Sequence, residues 1–216
     1  MRRLILTLVL MLFTSNAFAM TMPNIPADIA LQKLKEGNDR FVSYKMKHPN
    51  INKSRREKLV NGQHPYAIIL SCSDSRVPPE IIFDQGLGDI FVIRNAGNVL
   101  DEHVMGSIEY AVHHLGVNLV VVLGHEFCGA VGAAMKDNKE SFAIESIKAS
   151  IAPAVAQCKK DKAYSYENII KTHAKLCVDE ILEDRGFAEY YKKHDFKVVP
   201  AYYNVDTGRV EFLLKK

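Results

Sequence analysis

The sequence predicts an α/β fold, a mostly parallel β-sheet core flanked by helices, with a C-terminal antiparallel hairpin. Three observations carry this. Short apolar runs without alternation, Tyr66–Ser71 and Asn118–Leu123, read as strands covered on both faces. Helical patterns lie between such runs, and strands alternating with helices imply right-handed crossovers in a parallel sheet. Near the end, Phe196–Tyr203 and Arg209–Leu213 are separated by Asn-Val-Asp-Thr-Gly, residues that suit a hairpin turn.

The elements follow in order. Met20–Pro26 reads as a linker. Ala27–Tyr44 has helical spacing of its apolar residues, with Gly37 a weak point. Pro49 and Asn50 mark a loop, and Arg55–Asn61 a short helix stopped by Gly62. After the strand at Tyr66–Ser71, a second strand is expected at Ile90–Ile93, following Gly86 and Gly88. Asp101–Leu115 is a helix, acidic at its start and stopped by Gly116. Phe142–Lys159 and Glu167–Asp184 are helical. Ligands of such sheets gather beyond the carboxyl ends of the strands. Cys72 and His125 are both expected just past such an end, on one rim.

The first nineteen residues have the three parts of a secretory signal peptide: Arg2 and Arg3, the apolar run Leu4–Phe13, and Ala17-Phe18-Ala19 as a cleavage site. The apolar run falls short of the roughly 20 residues that span a bilayer. The expected organisation is a signal peptide at 1–19 and a single domain at 20–216, exported and most simply periplasmic, with no stable membrane anchor after cleavage. Removing Arg2 and Arg3 takes the formal charge from +3 to +1. So small a charge excludes an electrostatic nucleic-acid binder, and the basic stretch Lys45–Lys58 reads as a solvated loop and helix start. Four cysteines, Cys72, Cys128, Cys158 and Cys177, are too few for a dense disulfide framework.

The chemistry concentrates in two stretches. In the first, Cys72, Asp74 and Arg76 stand at alternate positions after an apolar strand. In the second, Gly124–Met135, His125 and Cys128 are three apart at a strand-to-helix turn. Two thiolates and an imidazole can hold zinc with one position open for water. A thiol near a helix N-terminus is biased toward thiolate, which favours Cys128, and Gly129 lets the backbone come close to the metal. Asp74 has two options. It closes the site as a fourth ligand, or Arg76 holds it in a bidentate pair and it orients the attacking water. A Cys72–Cys128 disulfide is the competing use of the thiols in an oxidising compartment.

C-S-D-S-R (Cys72–Arg76), V-I-R-N-A-G-N (Val92–Asn98) and G-H-x-x-C-G (Gly124–Gly129), in this order and spacing, resemble the β-class carbonic anhydrases. The resemblance implies a lyase that reversibly hydrates carbon dioxide to bicarbonate and a proton through a zinc-bound hydroxide. It places one zinc per subunit on Cys72, His125 and Cys128, and a catalytic dyad on Asp74 and Arg76. Gln63, Phe91, Ala96, Tyr110 and Gly129 are implied to bind substrate, although Phe91 and Tyr110 also suit a plain core. A second branch of the family has Trp three before the first Cys and Gly directly before it. Here those positions hold Ile69 and Ser71, which favours the plant-like, open-site branch.

The family also implies a homodimer or larger homo-oligomer, with which the amphipathic Ala27–Tyr44 segment and the apolar edge Val210–Leu214 are compatible. Cys158 and Cys177 match no ligand and read as buried thiols or as a pair in a disulfide; His103 is a candidate proton shuttle. Two alternatives stand beside the main expectation: a carbon disulfide or carbonyl sulfide hydrolase on the same scaffold, and a non-catalytic zinc-stabilised binding protein.

Overall fold

A computed structural model describes residues 25–187, 190 and 194–214. The expected signal peptide, and the linker as far as residue 24, lie outside the described residues. Five strands form one sheet in the order β2-β1-β3-β4-β5: β1 (Ala67–Cys72), β2 (Ile90–Asn95), β3 (Leu119–His125), β4 (Lys197–Tyr203) and β5 (Val210–Phe212). The first four are parallel, and β5 runs antiparallel to β4 through the expected hairpin.

Every residue of β1 and of β3 is buried. Successive side chains point to opposite faces, so each strand feeds two cores. Ala67, Ile69, Val121 and Leu123 pack with the helix α1 (Ala27–Val42) on one face. Ile68, Leu70, Val120 and Val122 pack on the other with the helices α4 (Glu102–His113) and α7 (Tyr166–Glu183). Burying one such side chain stabilises by about 1.5–3 kcal/mol, which is why these two unalternating runs are the most legible elements. A third apolar cluster lies past the strand ends, where α6 (Phe142–Lys160) and α7 enclose Cys72, Cys128, Val131 and Ile151.

The helices start where side chains can cap them. Asp101 accepts from the Val104 amide at 2.8 Å, Ser165 from the Asn168 amide at 3.1 Å, and Asn52 from the Arg55 amide at 2.9 Å. The last cap corrects the expected short helix: α2 spans Lys53–Leu59, starting two residues before Arg55, because Asn52 satisfies its orphan donors. The helix expected to start near Cys128 is the short α5 (Gly129–Ala134), and two short elements were not expected: the helix α3 (Pro79–Ile82) and a 3-10 turn at Ala96–Asn98. Each is too brief to show a period. Gly37 is no weakness. A Cβ there would stand 1.8 Å from the Phe83 carbonyl oxygen, so its absence lets α1 seat on the turn after α3.

Candidate metal centre

Parallel pairing delivers the site. Ser71 is level with Leu123 across β1 and β3, so Cys72 and His125 arrive at the same edge. Both are the last residues of their strands rather than residues just past them, because the ladder continues to Asn95 on one side and to Tyr203 on the other. Phe127, with φ of 55°, turns the chain so that Cys128 sits at the start of α5. The ligating atoms of Cys72, His125 and Cys128 all lie within 4.8 Å of one another, and all three residues are buried.

The histidine tautomer follows from one contact. His125 Nδ1 lies 2.9 Å from the Glu126 carbonyl oxygen, which can only accept, so Nδ1 carries the proton. Nε2 is left with a bare lone pair, and among the described residues it has no hydrogen-bond partner although it is buried. A buried polar atom without a partner is costly, and this one faces two sulfurs. The thiols are poised as well. The neighbouring Cys128 thiol draws Cys72 well below the ordinary thiol range; burial opposes this, and the Gly97 amide adds to it. Cys128 is pushed up in turn by the neighbouring Cys72 and by burial. A thiolate, a second thiol and an imidazole lone pair converging in a buried site form a soft donor set suited to zinc. All four cysteines are free, so neither the Cys72–Cys128 nor the Cys158–Cys177 disulfide is formed.

Asp74 is held away from this cluster. Arg76 Nε donates to its Oδ1 at 2.9 Å and Nη2 to its Oδ2 at 2.7 Å, with the Arg76 amide adding a third bond to Oδ1 at 2.9 Å. These bonds, led by the Arg76 side chain, keep the Asp74 carboxyl well below the usual carboxylate range. Arg76 Nη2 also reaches the Phe127 carbonyl at 3.3 Å, tying the first motif to the second. Asp74 Oδ2 lies 4.0 Å from His125 Nε2 and faces the cluster.

The expected substrate residues fare unequally. Phe91 and Tyr110 pair across β2 and α4 with ring centroids 6.4 Å apart. Phe91 is half-buried against the second core, whereas Tyr110 is 47 % exposed and not a core residue. Ala96 opens the 3-10 turn beside Gly97 and is exposed, as is Gly129, which begins α5 next to Cys128. Gln63 is exposed in the loop before β1, and no hydrogen bond joins it to the cluster among the described residues. His103 is exposed on the first turn of α4. Ile69 and Ser71 are fully buried in β1.

The sequence does not show what some residues of the site touch. Arg94 bonds the Cys72 carbonyl at 3.0 Å through Nε and the Asp74 carbonyl at 2.7 Å through Nη2. Gly97 N–H donates to Cys72 Sγ at 3.3 Å. The Tyr166 hydroxyl donates to the Cys128 carbonyl. Arg94 and Gly97 stand inside the V-I-R-N-A-G-N motif, which marked them without showing what they touch.

Comparisons with known proteins agree with this geometry. The family model described as "Carbonic anhydrase" matches residues 67–210. Carbonic anhydrase 2 of Mycobacterium tuberculosis is 40% identical over 193 residues, covering 87% of this chain and 93% of the relative. The carbonic anhydrase of Mycolicibacterium smegmatis is 38% identical over 195 residues, covering 88% and 95%. Among solved structures, the β-carbonic anhydrase CafA of Aspergillus fumigatus superposes with a TM-score of 0.67 at 28% identity, over 86% of this chain and 89% of that one. One from Sordaria macrospora, described among tetrameric β-carbonic anhydrases, has a TM-score of 0.71 at 24% identity over 86% and 97%, and shares the fold.

Proposed function

The chain belongs to the β-class carbonic anhydrase family, and from that premise we propose that it hydrates carbon dioxide reversibly on one zinc ion per subunit, in the open-site manner of the plant-like branch. Cys72, His125 and Cys128 would hold the ion. One observation carries this reading: His125 Nε2 is buried and, among the described residues, unpartnered toward two thiols while Asp74 is locked to Arg76. When bound there, zinc supplies Lewis acidity that brings the pKa of a coordinated water from 15.7 toward about 7.

The chain's own groups do the rest. Asp74, ionised and acceptor-only, has lone pairs left after Arg76 has bonded both oxygens. Its Oδ2 would accept a hydrogen bond from the attacking water and fix the direction of the oxygen lone pair. Arg76 prevents Asp74 from taking the open position. In the reaction the water oxygen bonds carbon, one C=O π pair moves to oxygen to give bicarbonate, and the proton leaves to solvent or buffer. Phe91, Ala96 and Tyr110 would offer apolar surface for a substrate that carries no charge, with the Gly129 backbone beside it, and Gln63 would orient it. The exposure of Gln63 and Tyr110 in a single chain supports a homo-oligomer in which neighbouring copies cover them.

We also infer export to the periplasm with cleavage after Ala19, resting on the N-terminal pattern. No helix among the described residues is long and apolar enough to cross a membrane. The ligand assignment is tested by Cys72→Ser. Zinc measured on the purified variant should fall from about one per chain to near zero, with activity lost in parallel. Full zinc content in that variant would overturn the assignment.

A further inference from the structure

A buried histidine–cysteine pair lies behind the metal centre, on α7. His173 and Cys177 are one turn apart and both buried, with 3 % exposure each. His173 Nε2 lies 3.0 Å from the Gly97 carbonyl oxygen, and Cys177 Sγ lies 3.8 Å from the Asn98 carbonyl oxygen. The Gly97 carbonyl only accepts, so Nε2 of His173 carries a proton and donates it. Burial favours the neutral ring, since it lowers the His173 pKa. Cys177, raised to about 12 by burial and by Glu180, is a thiol and a donor.

The segment these two groups hold is unusual. Gly97 and Asn98 both have left-handed backbone, with φ of 76° and 46°. Both are buried, and a Cβ on Gly97 would stand 2.8 Å from Ala130 Cβ. Two consecutive residues in this region do not hold themselves there. The forward end of the same glycine does the chemistry, because Gly97 N–H donates to Cys72 Sγ. One residue is therefore gripped on its carbonyl side by α7 and presents its amide to a sulfur on the other.

We propose that His173 is a positioning residue for the metal centre: by holding the Gly97 carbonyl it fixes the turn whose amide stabilises the Cys72 thiolate. This rests on the zinc reading above. Outer partners of metal ligands typically govern affinity by 10–100-fold. A buried Gly97 carbonyl without its donor would turn to find another, and glycine has the freedom to do so. The Cys72 sulfur would then lose its N–H···S bond and push more charge onto the metal.

The comparison is His173→Leu, which removes the donor at similar volume, against His173→Gln, whose terminal amide reaches the place of Nε2. Zinc affinity is read by chelator competition on the full-length mature protein. The thiolate-to-cobalt charge-transfer band of the cobalt(II)-substituted protein reports on the sulfur directly. Expected are a roughly 10–100-fold loss of zinc affinity and a shifted band in His173→Leu, with both restored in His173→Gln. The pH at which activity rises should move upward in His173→Leu only. If His173→Leu does not fold, His173→Asn serves, since its amide is too short to reach the Gly97 carbonyl. Affinity and band unchanged in the donor-less variant would overturn the inference alone, as would equal loss in the leucine and glutamine variants, which would assign the effect to packing. Wild-type protein that takes up no zinc would overturn the metal reading and this inference with it.

Discussion

In the proposed mechanism Asp74 and Arg76 decide whether the zinc site is open. A salt bridge at a half-exposed surface contributes little to stability, and Arg76 keeps 46% of its side chain in solvent. Its value lies in geometry, with both carboxylate oxygens engaged at 2.9 and 2.7 Å. Arg76→Ala frees Asp74 to reach the cluster. The variant should keep zinc at about one per chain, melt within a few degrees of wild type, and lose activity by about 100-fold or more, the scale of a misplaced reacting group. Stopped-flow hydration with metal analysis on the same sample checks this, and unchanged activity would remove Asp74 from the mechanism. The sequence showed this pair because both residues sit on one short segment after a strand. It did not show His173 or Arg94, whose partners are distant in sequence. A histidine on a helix is silent about what lies opposite until the turn at Ala96–Asn98 is placed.

Among the elements, the buried strands were legible because continuous apolar runs have one physical explanation in an α/β chain. Their ends were less so. β2 extends to Asn95 and β3 to His125, beyond the apolar stretches, because backbone pairing to neighbouring strands continues after the side chains turn polar. A similar limit hid the role of Asn38 in α1. It is 3 % exposed, and its Nδ2 donates to the carbonyls of Ile82 at 3.2 Å and Gly208 at 2.8 Å. Its Oδ1 accepts from the Val210 amide at 2.9 Å, so one side chain joins α1 to the end of α3 and to the β4–β5 hairpin. Asn38→Ala strands three buried backbone groups, each costing about 1–3 kcal/mol. Unfolding in urea should show a loss of roughly 3 kcal/mol with the zinc content unchanged. A loss below about 0.5 kcal/mol, the range of an ordinary surface change, would contradict the tie.

At the scale of the whole molecule, the parallel sheet and its two helical layers explain why two motifs some fifty residues apart share one site. Fold class, the cluster and the family could all be read from the sequence, because the ligands stand at strand ends where topology brings them together. The assembly and the destination are different matters. The expected substrate residues Gln63 and Tyr110 lie on the surface of the single chain, and the proposed homo-oligomer would enclose them. Expressed with its native N-terminus in a Gram-negative host, the protein should be recovered from the periplasm starting at Met20. In sedimentation it should have at least twice the mass of one chain. Full-length protein confined to the cytoplasm would contradict export, and a monomer with full activity would contradict the shared pocket.

The proposed zinc site stands on Cys72, His125 and Cys128 with Asp74 kept off it. Its most direct test is stopped-flow carbon dioxide hydration by the chain from Met20, from about pH 6.5 to 9, with zinc measured on the same sample. Asp74 is depressed far below this range and stays an acceptor throughout, so it adds no titration of its own. Zinc should be near one per chain and activity already present around neutral pH, rising as a water of pKa near 7 ionises. Activity appearing only above about pH 8, or full activity in protein without zinc, would contradict it.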